Sequence, residues 1–324
     1  MPHHQLETLS RTISFQGRDV VIVRPGIAFI LYSSADLASV MSATAEVLIA
    51  YLDYVPPSSV IATFRPGVDE YTPGRWVQFD ENVKTQLVLD LRSGRWSEED
   101  EGYSFVLSAT ADGQAGGYGV SFGGIDLSGE MAEETETSLL RLEFPCDLPD
   151  SMDMDSLFNF FARTAEMFPY CSGNAGMSFI HTVSWIPEAR ETICKLLPRF
   201  LGFEPSHDSA QLEMRGKCPA AHWLNLLDWD LVSALGGEEK LRSDLDCCEI
   251  QRLESGILIR AAKFPPIIDV NRGGRDIGCL PSVARVLSPI RFDEALFAGL
   301  GDTESGKAWL ERFDNLVSRD WNNH

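Results

Sequence analysis

Apolar positions along this chain follow two periods, and the switches between them mark its elements. Val20 to Val23 and Ile27 to Tyr32 are apolar runs flanking Arg24-Pro25-Gly26, which predicts two strands and a turn. A helix is expected next. Ser33 or Ser34 suits its cap, Asp36 its first turn, and Leu37, Val40, Met41, Thr44, Leu48 and Tyr51 share one face before Pro56-Pro57. From Ile61 to Phe144 the period becomes two: Val83, Thr85, Leu87, Leu89 and Leu91 alternate with polar residues. Tyr103, Phe105 and Leu107, then Tyr118, Val120 and Phe122, then Leu140, Leu142 and Phe144 do the same, so antiparallel strands are expected throughout.

Helical spacing returns at Asp153 to Phe168, where Met154, Leu157, Phe158, Phe161, Ala165 and Phe168 form one face. Ser172-Gly173-Asn174-Ala175-Gly176 reads as a small-residue turn, Met177 to Val183 as a strand, and Ile186-Pro187 as the start of a helix reaching about Leu197. Residues 202–218 look irregular. Pro219 suits a first helical position, and Leu224, Leu227, Leu231 and Leu235 continue at helical spacing to Gly236-Gly237. A short helix over Glu238 to Leu245 follows. Two extended runs, Glu249 to Leu253 and Gly256 to Ala262, then meet at Ser255-Gly256, where glycine permits a tight turn. Asp302 or Thr303 caps a last expected helix carrying Trp309, Leu310, Phe313, Leu316 and Val317. The predicted class is α+β: antiparallel sheet covered by amphipathic helices, with a helix-rich C-terminal half. A division at Glu130 to Thr137 would separate a strand-rich segment, 1–136, from an α+β region, 137–324.

Composition narrows the function. The 324 residues are 44% hydrophobic, without an apolar run of membrane-spanning length, and Met1-Pro2-His3-His4-Gln5 lacks the basic and apolar regions of a secretory signal. Seven scattered cysteines without a Cys-x-x-Cys pair point to reduced thiols in a cytoplasmic protein. Charge is the strongest feature: 48 acidic residues against 27 basic give −21. Glu98 to Asp155 alone holds fifteen acids against Arg141, so −14 of the total lies in 58 residues. Such a field attracts a basic partner and repels nucleic acid.

Candidate chemistry is sparse. The glycines from Gly113 to Gly124 lack the following Lys-Ser or Lys-Thr of a phosphate loop. His181 and His222 have no metal-ligand partners at suitable spacing and read as structural histidines; no Gly-x-Ser-x-Gly occurs. No catalytic residue, metal or cofactor is expected. A hydrolase using acids without a motif, or a scaffold module, stand as alternative readings. Asp269, Asn271 and Arg272 form a polar cluster that either closes a turn or meets a partner.

The order of Ser172-Gly173-Asn174-Ala175-Gly176, Trp223-Leu224, Leu235-Gly236-Gly237, Pro265-Pro266-Ile267-Ile268-Asp269 and Leu287-Ser288-Pro289 resembles a bacterial family. It is the type VI secretion immunity family found beside effectors carrying VRR-type nuclease domains, and the resemblance spans roughly residues 137–292. It implies an immunity protein, not an enzyme, that neutralises a cognate effector toxin in the cytoplasm, the toxin being a DNase of the PD-(D/E)xK type. Residues expected to meet that toxin are Glu98, Glu99, Asp100, Glu101, Glu130, Glu133, Glu134 and Glu136 from the acidic stretch, with Asp269 and Arg272.

Overall fold

The strand expected to break at a proline does not break. In the computed structural model, which describes residues 3–65, 74–96, 102–129, 133–151, 153–182, 186–205, 214–272, 277–292 and 303–314, a 3-10 helix at His3–Leu9 leads to β1 (Arg11–Phe15) and β2 (Arg18–Ser33). β2 runs unbroken for 16 residues through Arg24-Pro25-Gly26. One flank explains why. There β2 pairs with β1 up to Val23 and with β7 (Ser138–Pro145) from Gly26 onward, so Pro25, which has no N–H to donate, falls between two partners. A Cβ on Gly26 would lie 2.2 Å from Ile180 Cδ1 and 2.8 Å from the Phe144 carbonyl oxygen, so close approach selects glycine there.

The remaining strands are β3 (Ala62–Arg65), β4 (Arg75–Gln78), β5 (Gly102–Ser108), β6 (Gly119–Ile125), β8 (Ser172–His181), β9 (Phe203–Glu204), β10 (Leu224–Asp228), β11 (Glu249–Arg252) and β12 (Gly256–Arg260). With β1, β2 and β7 they make one twelve-stranded sheet in the order β11-β12-β10-β8-β2-β7-β6-β5-β3-β4, with β1 beside β2 and β9 beside β8. Every pairing is antiparallel except β8 with β9. The α+β class is as expected.

Helices cover this sheet. α1 (Leu37–Tyr54) is capped by Asp36, not by Ser33 or Ser34: its carboxylate accepts from Ser39 N–H at 2.9 Å. Its expected apolar face is buried. The Tyr51 hydroxyl donates to the Glu143 carbonyl at 2.6 Å and accepts from Gly119 N–H at 3.1 Å, which ties α1 to β6 and β7. Residues 83–91 are a correction, because they belong to α2 (Glu81–Ser93) and not to a strand. Leu87 and Leu91 sit four apart, a spacing that serves both periods, but Asp80 caps the N-terminus and Gly94 closes the C-terminus in the left-handed region. Leu89, which a strand would have buried beside them, is 55% exposed.

After the short α3 (Leu148–Ser151), α4 (Met154–Met167) is the amphipathic helix the spacing predicts, capped by Asp153. Its Phe161 stacks on Phe29 at 4.2 Å and meets Trp223 edge-on at 6.2 Å, joining helix, β2 and the approach to β10. Two expectations fail beneath it. Ser172 to Gly176 is not a turn but the first half of β8, and residues 224–228 are β10, not helix. Both strands lie between two neighbours and are buried on both faces, so the polar-out alternation that marks a strand is missing.

Asp228 ends β10 and caps α6 (Trp229–Ala234), accepting from Leu231 N–H at 2.8 Å. α7 (Glu238–Asp244) and the β11–β12 hairpin form as predicted. Gly256 is required for another reason than a turn: its Cβ would lie 1.9 Å from the Leu227 carbonyl oxygen. α5 (Ile186–Leu196), α8 (Leu280–Leu287) and α9 (Thr303–Leu310) complete the described helices. Leu231, Ile257, Val283 and Phe313 belong to a second, smaller core beyond the main one.

Candidate partner-binding site

The acidic residues singled out from the sequence divide by where they stand. Glu98, Glu99, Asp100, Glu101 and Glu130 lie outside the described residues. The chain on either side of them is described: Gly102 opens β5 and pairs with Ile125, the last residue of β6. Asp126 follows directly, and Ser138 opens β7, where its hydroxyl accepts from Ile125 N–H at 3.1 Å. Both acidic stretches therefore join the sheet at one end of β5, β6 and β7.

Glu133, Glu134 and Glu136 sit in the link between β6 and β7. The Glu136 carboxylate accepts from Glu133 N–H at 3.0 Å, Glu136 N–H donates to the Glu133 carbonyl at 3.1 Å, and Arg215 N–H donates to the Thr135 carbonyl at 3.1 Å. The turn is thus pinned from within and from the side. Glu133 and Glu134 are exposed and make no ion pair among the described residues.

Asp269 and Arg272 stand elsewhere and differently. The Asp269 carboxylate is buried and takes both hydrogen bonds of the Arg199 guanidinium, at 2.9 and 2.8 Å, and a third from Asn271 N–H at 3.1 Å. Those bonds, the arginine first, hold its carboxyl below the usual carboxylate range. Arg272 reaches the same carboxylate at 3.7 Å with its own side chain 53% exposed. Around them Leu201 N–H donates to Ile268 and Val270 N–H to Arg199, so the carboxylate closes a crossing of two chain segments. Arg199 lies 70 residues away, and no local signal linked it to Asp269.

The sequence reading also missed a polar group sealed inside the sheet. Glu204, on β9, is fully buried. Asn174 of β8 donates its amide to the Glu204 carboxyl, and His222 Nε2 stands 3.6 Å from it. Burial pushes the Glu204 carboxyl up to about 8 against the pull of Arg141 and Arg312, and pushes His222 well below the usual imidazole range. Arg312 donates to the carbonyls of Leu201, Trp309 and Ala221 and stacks 3.7 Å over Trp309. His181 donates from Nδ1 to the Thr182 carbonyl at 2.9 Å, and loss of hydration lowers its pKa to about 4. An acid and an imidazole this close would suit proton transfer, but Glu204 has no exposed surface and His222 only 3%.

A groove of about 860 Å³ lies between the end of α1, the β3–β4 hairpin and the start of α2. Its polar groups include Asp53, Gln78, Asp80, Glu81 and Lys84, and Asp80 is already bonded to the amides of Asn82 and Val83. Cysteine usage departs from expectation: Cys247 and Cys279 form a disulfide, while Cys146, Cys171, Cys194, Cys218 and Cys248 are not disulfide-bonded.

An acidic α+β protein built on one antiparallel sheet, with its buried charges bonded inside and its unbalanced charges outside, is the class that this arrangement defines. The chain belongs to the TsiV family, described as type VI immunity for VRR-NUC, whose model matches residues 70–313. It is similar in structure to the Pseudomonas aeruginosa T6SS protein PA0821, with a TM-score of 0.72 and 17% identity over 93% of this chain and 85% of that one. That likeness is one of fold. No curated protein matches the chain. Among the described residues no helix is long and apolar enough to cross a membrane.

Proposed function

We propose that this chain binds a VRR-NUC effector of the PD-(D/E)xK type and silences it by laying an acidic surface over the basic cleft that takes DNA. The binding surface is the end of β5, β6 and β7, with Glu98, Glu99, Asp100 and Glu101 on one approach and Glu130, Glu133, Glu134 and Glu136 on the other. The observation that carries this reading is the pairing of Gly102 with Ile125, which joins two acid-rich stretches to one end of the sheet. A cleft shaped for phosphates meets a field of the sign it is built to attract, which speeds encounter, while packed side chains around it set the dissociation rate. The same field repels DNA, so the chain acts on the nuclease and not on its substrate. The work is done in the cytoplasm, where DNA is exposed to the toxin, and requires no catalytic residue of this chain.

The test is a DNA-cleavage assay with the effector produced beside this chain, titrated with the native protein and two charge-reversed variants. One variant changes Glu98, Glu99, Asp100 and Glu101 to lysine; the other changes Glu130, Glu133, Glu134 and Glu136. Each set is expected to weaken inhibition by roughly 10- to 100-fold, chiefly through association, and to flatten its dependence on salt. Unchanged affinity and salt slope for both variants would place the interface elsewhere and overturn the proposal.

A further inference from the structure

We propose that in the reduced protein Cys247, Cys248 and Cys279 form a three-thiolate site for a soft divalent cation, Zn²⁺ above all, with water as the fourth ligand. Their three sulfur atoms lie within 4.8 Å of one another, and the Cys247 and Cys248 sulfurs are 4.0 Å apart. Zinc–thiolate bonds of about 2.3 Å at tetrahedral angles place sulfurs about 3.8 Å apart, so side-chain rotation alone brings the cluster to that geometry.

The backbone holds all three in place. Cys247 and Cys248 join α7 to β11, with Cys248 N–H donating to Leu245 at 2.9 Å. Cys279 is the residue that caps α8, and its N–H donates to Ala261, just beyond β12, at 2.8 Å.

The surroundings choose sulfur over oxygen and balance the charge. Cys247 shares a recess of about 360 Å³ with Asp155, Glu249, Arg260 and Lys263. Asp155 and Glu249 are engaged by Arg260, at 2.6 and 3.2 Å, which leaves the thiols as the donor set. Thiolate donors select Zn²⁺ or Cu⁺ over Mg²⁺ or Ca²⁺. Three thiolates on Zn²⁺ carry a net charge of −1; with Arg260 engaged by Asp155 and Glu249, Lys263 is the second cation of the same recess.

Metal and disulfide exclude each other, because the Cys247–Cys279 bond removes two of the three ligands. When bound, the cation would clip the α7–β11 junction to α8, two points 32 residues apart in the chain.

The experiment uses the full chain, reduced without air, with Zn²⁺ alone as the probe and Co²⁺ as its spectroscopic substitute. One Zn²⁺ per chain is expected, with a tetrahedral thiolate spectrum for Co²⁺, and none after oxidation to the disulfide. Cys248→Ser should lose more than the roughly 10- to 100-fold in affinity that an outer-shell change costs, while Cys194→Ser leaves binding unchanged. Should Cys248→Ser fold poorly, alkylation of the native protein decides: Zn²⁺ should protect Cys247, Cys248 and Cys279 and leave Cys194 reactive. Absence of Zn²⁺ binding by the reduced chain, or protection of other cysteines, overturns the proposal.

Discussion

The interior around β8–β10 and the end of β5–β7 use charge in opposite ways. Inside, Glu204, Arg312 and Asp269 each have partners: Glu204 bonds Asn174, Arg312 bonds three carbonyls, and Asp269 bonds Arg199. Outside, Glu133 and Glu134 stand exposed without an ion pair among the described residues. The difference teaches where each kind of charge acts. A buried charge must be bonded or it unfolds the protein, whereas exposed like charges cost little locally and leave a field for a partner to meet.

The contrast breaks most sharply at Arg199. Arg199→Ala would leave the buried Asp269 carboxylate with Asn271 N–H and the more distant Arg272. Loss of its bidentate partner should destabilise the protein clearly, though less than in a pair buried at both ends, because the Arg199 side chain is 40% exposed. Adding Asp269→Asn should return part of that loss by removing the uncompensated charge. Urea unfolding of the single and double variants checks both; equal stability of native protein and Arg199→Ala would mean the pair is structurally idle.

Glu204 gives a smaller, pH-dependent effect. Its carboxyl titrates near 4.5 when unfolded and about 8 when folded. Across that interval the folded state keeps a proton the unfolded state has lost, so this group's contribution falls as pH rises. His181 and His222 act in reverse: both are lowered from 6.5, so their contribution rises as pH climbs to 6.5 and is then complete. Together the three predict a stability maximum near pH 6.5 and a decline of about 1 kcal/mol towards pH 8. Glu204→Gln should abolish the alkaline decline. A decline that persists unchanged in that variant would assign it to another group.

The same contrast separates what was legible in the sequence from what was not. Elements with one wet face were plain: α1, α4, β5, β6 and β7 alternate or recur because one side meets water. β8 and β10 were misread because, dry on both sides, they carry no polar alternation, and Ser172-Gly173-Asn174 imitates a turn. α2 was misread for a different reason, since its every-second-residue pattern outweighed the signals at Asp80 and Gly94. Of the candidate site, the acid-rich stretches showed in composition, but their meeting at one sheet end depends on the Gly102–Ile125 pairing. The partners of Asp269 and Glu204 come from 70 and 30 residues away, beyond any local pattern. The cysteine cluster likewise needs Cys279 folded back onto Cys247 and Cys248.

The smallest expected effect is the one that most sharpens the comparison. Glu133→Lys with Glu134→Lys alters two exposed carboxylates in a turn whose hydrogen bonds come from backbone groups and from Glu136. Nothing in the fold depends on the charge of either side chain, so urea stability should stay within about 0.5 kcal/mol of the native protein. Any change should be a slight gain, because lysines relieve repulsion within a protein of net charge −21. A loss of about 2 kcal/mol or more would show that these acids are structural after all. The acidic end would then be part of the scaffold, as the bonded charges of the interior are.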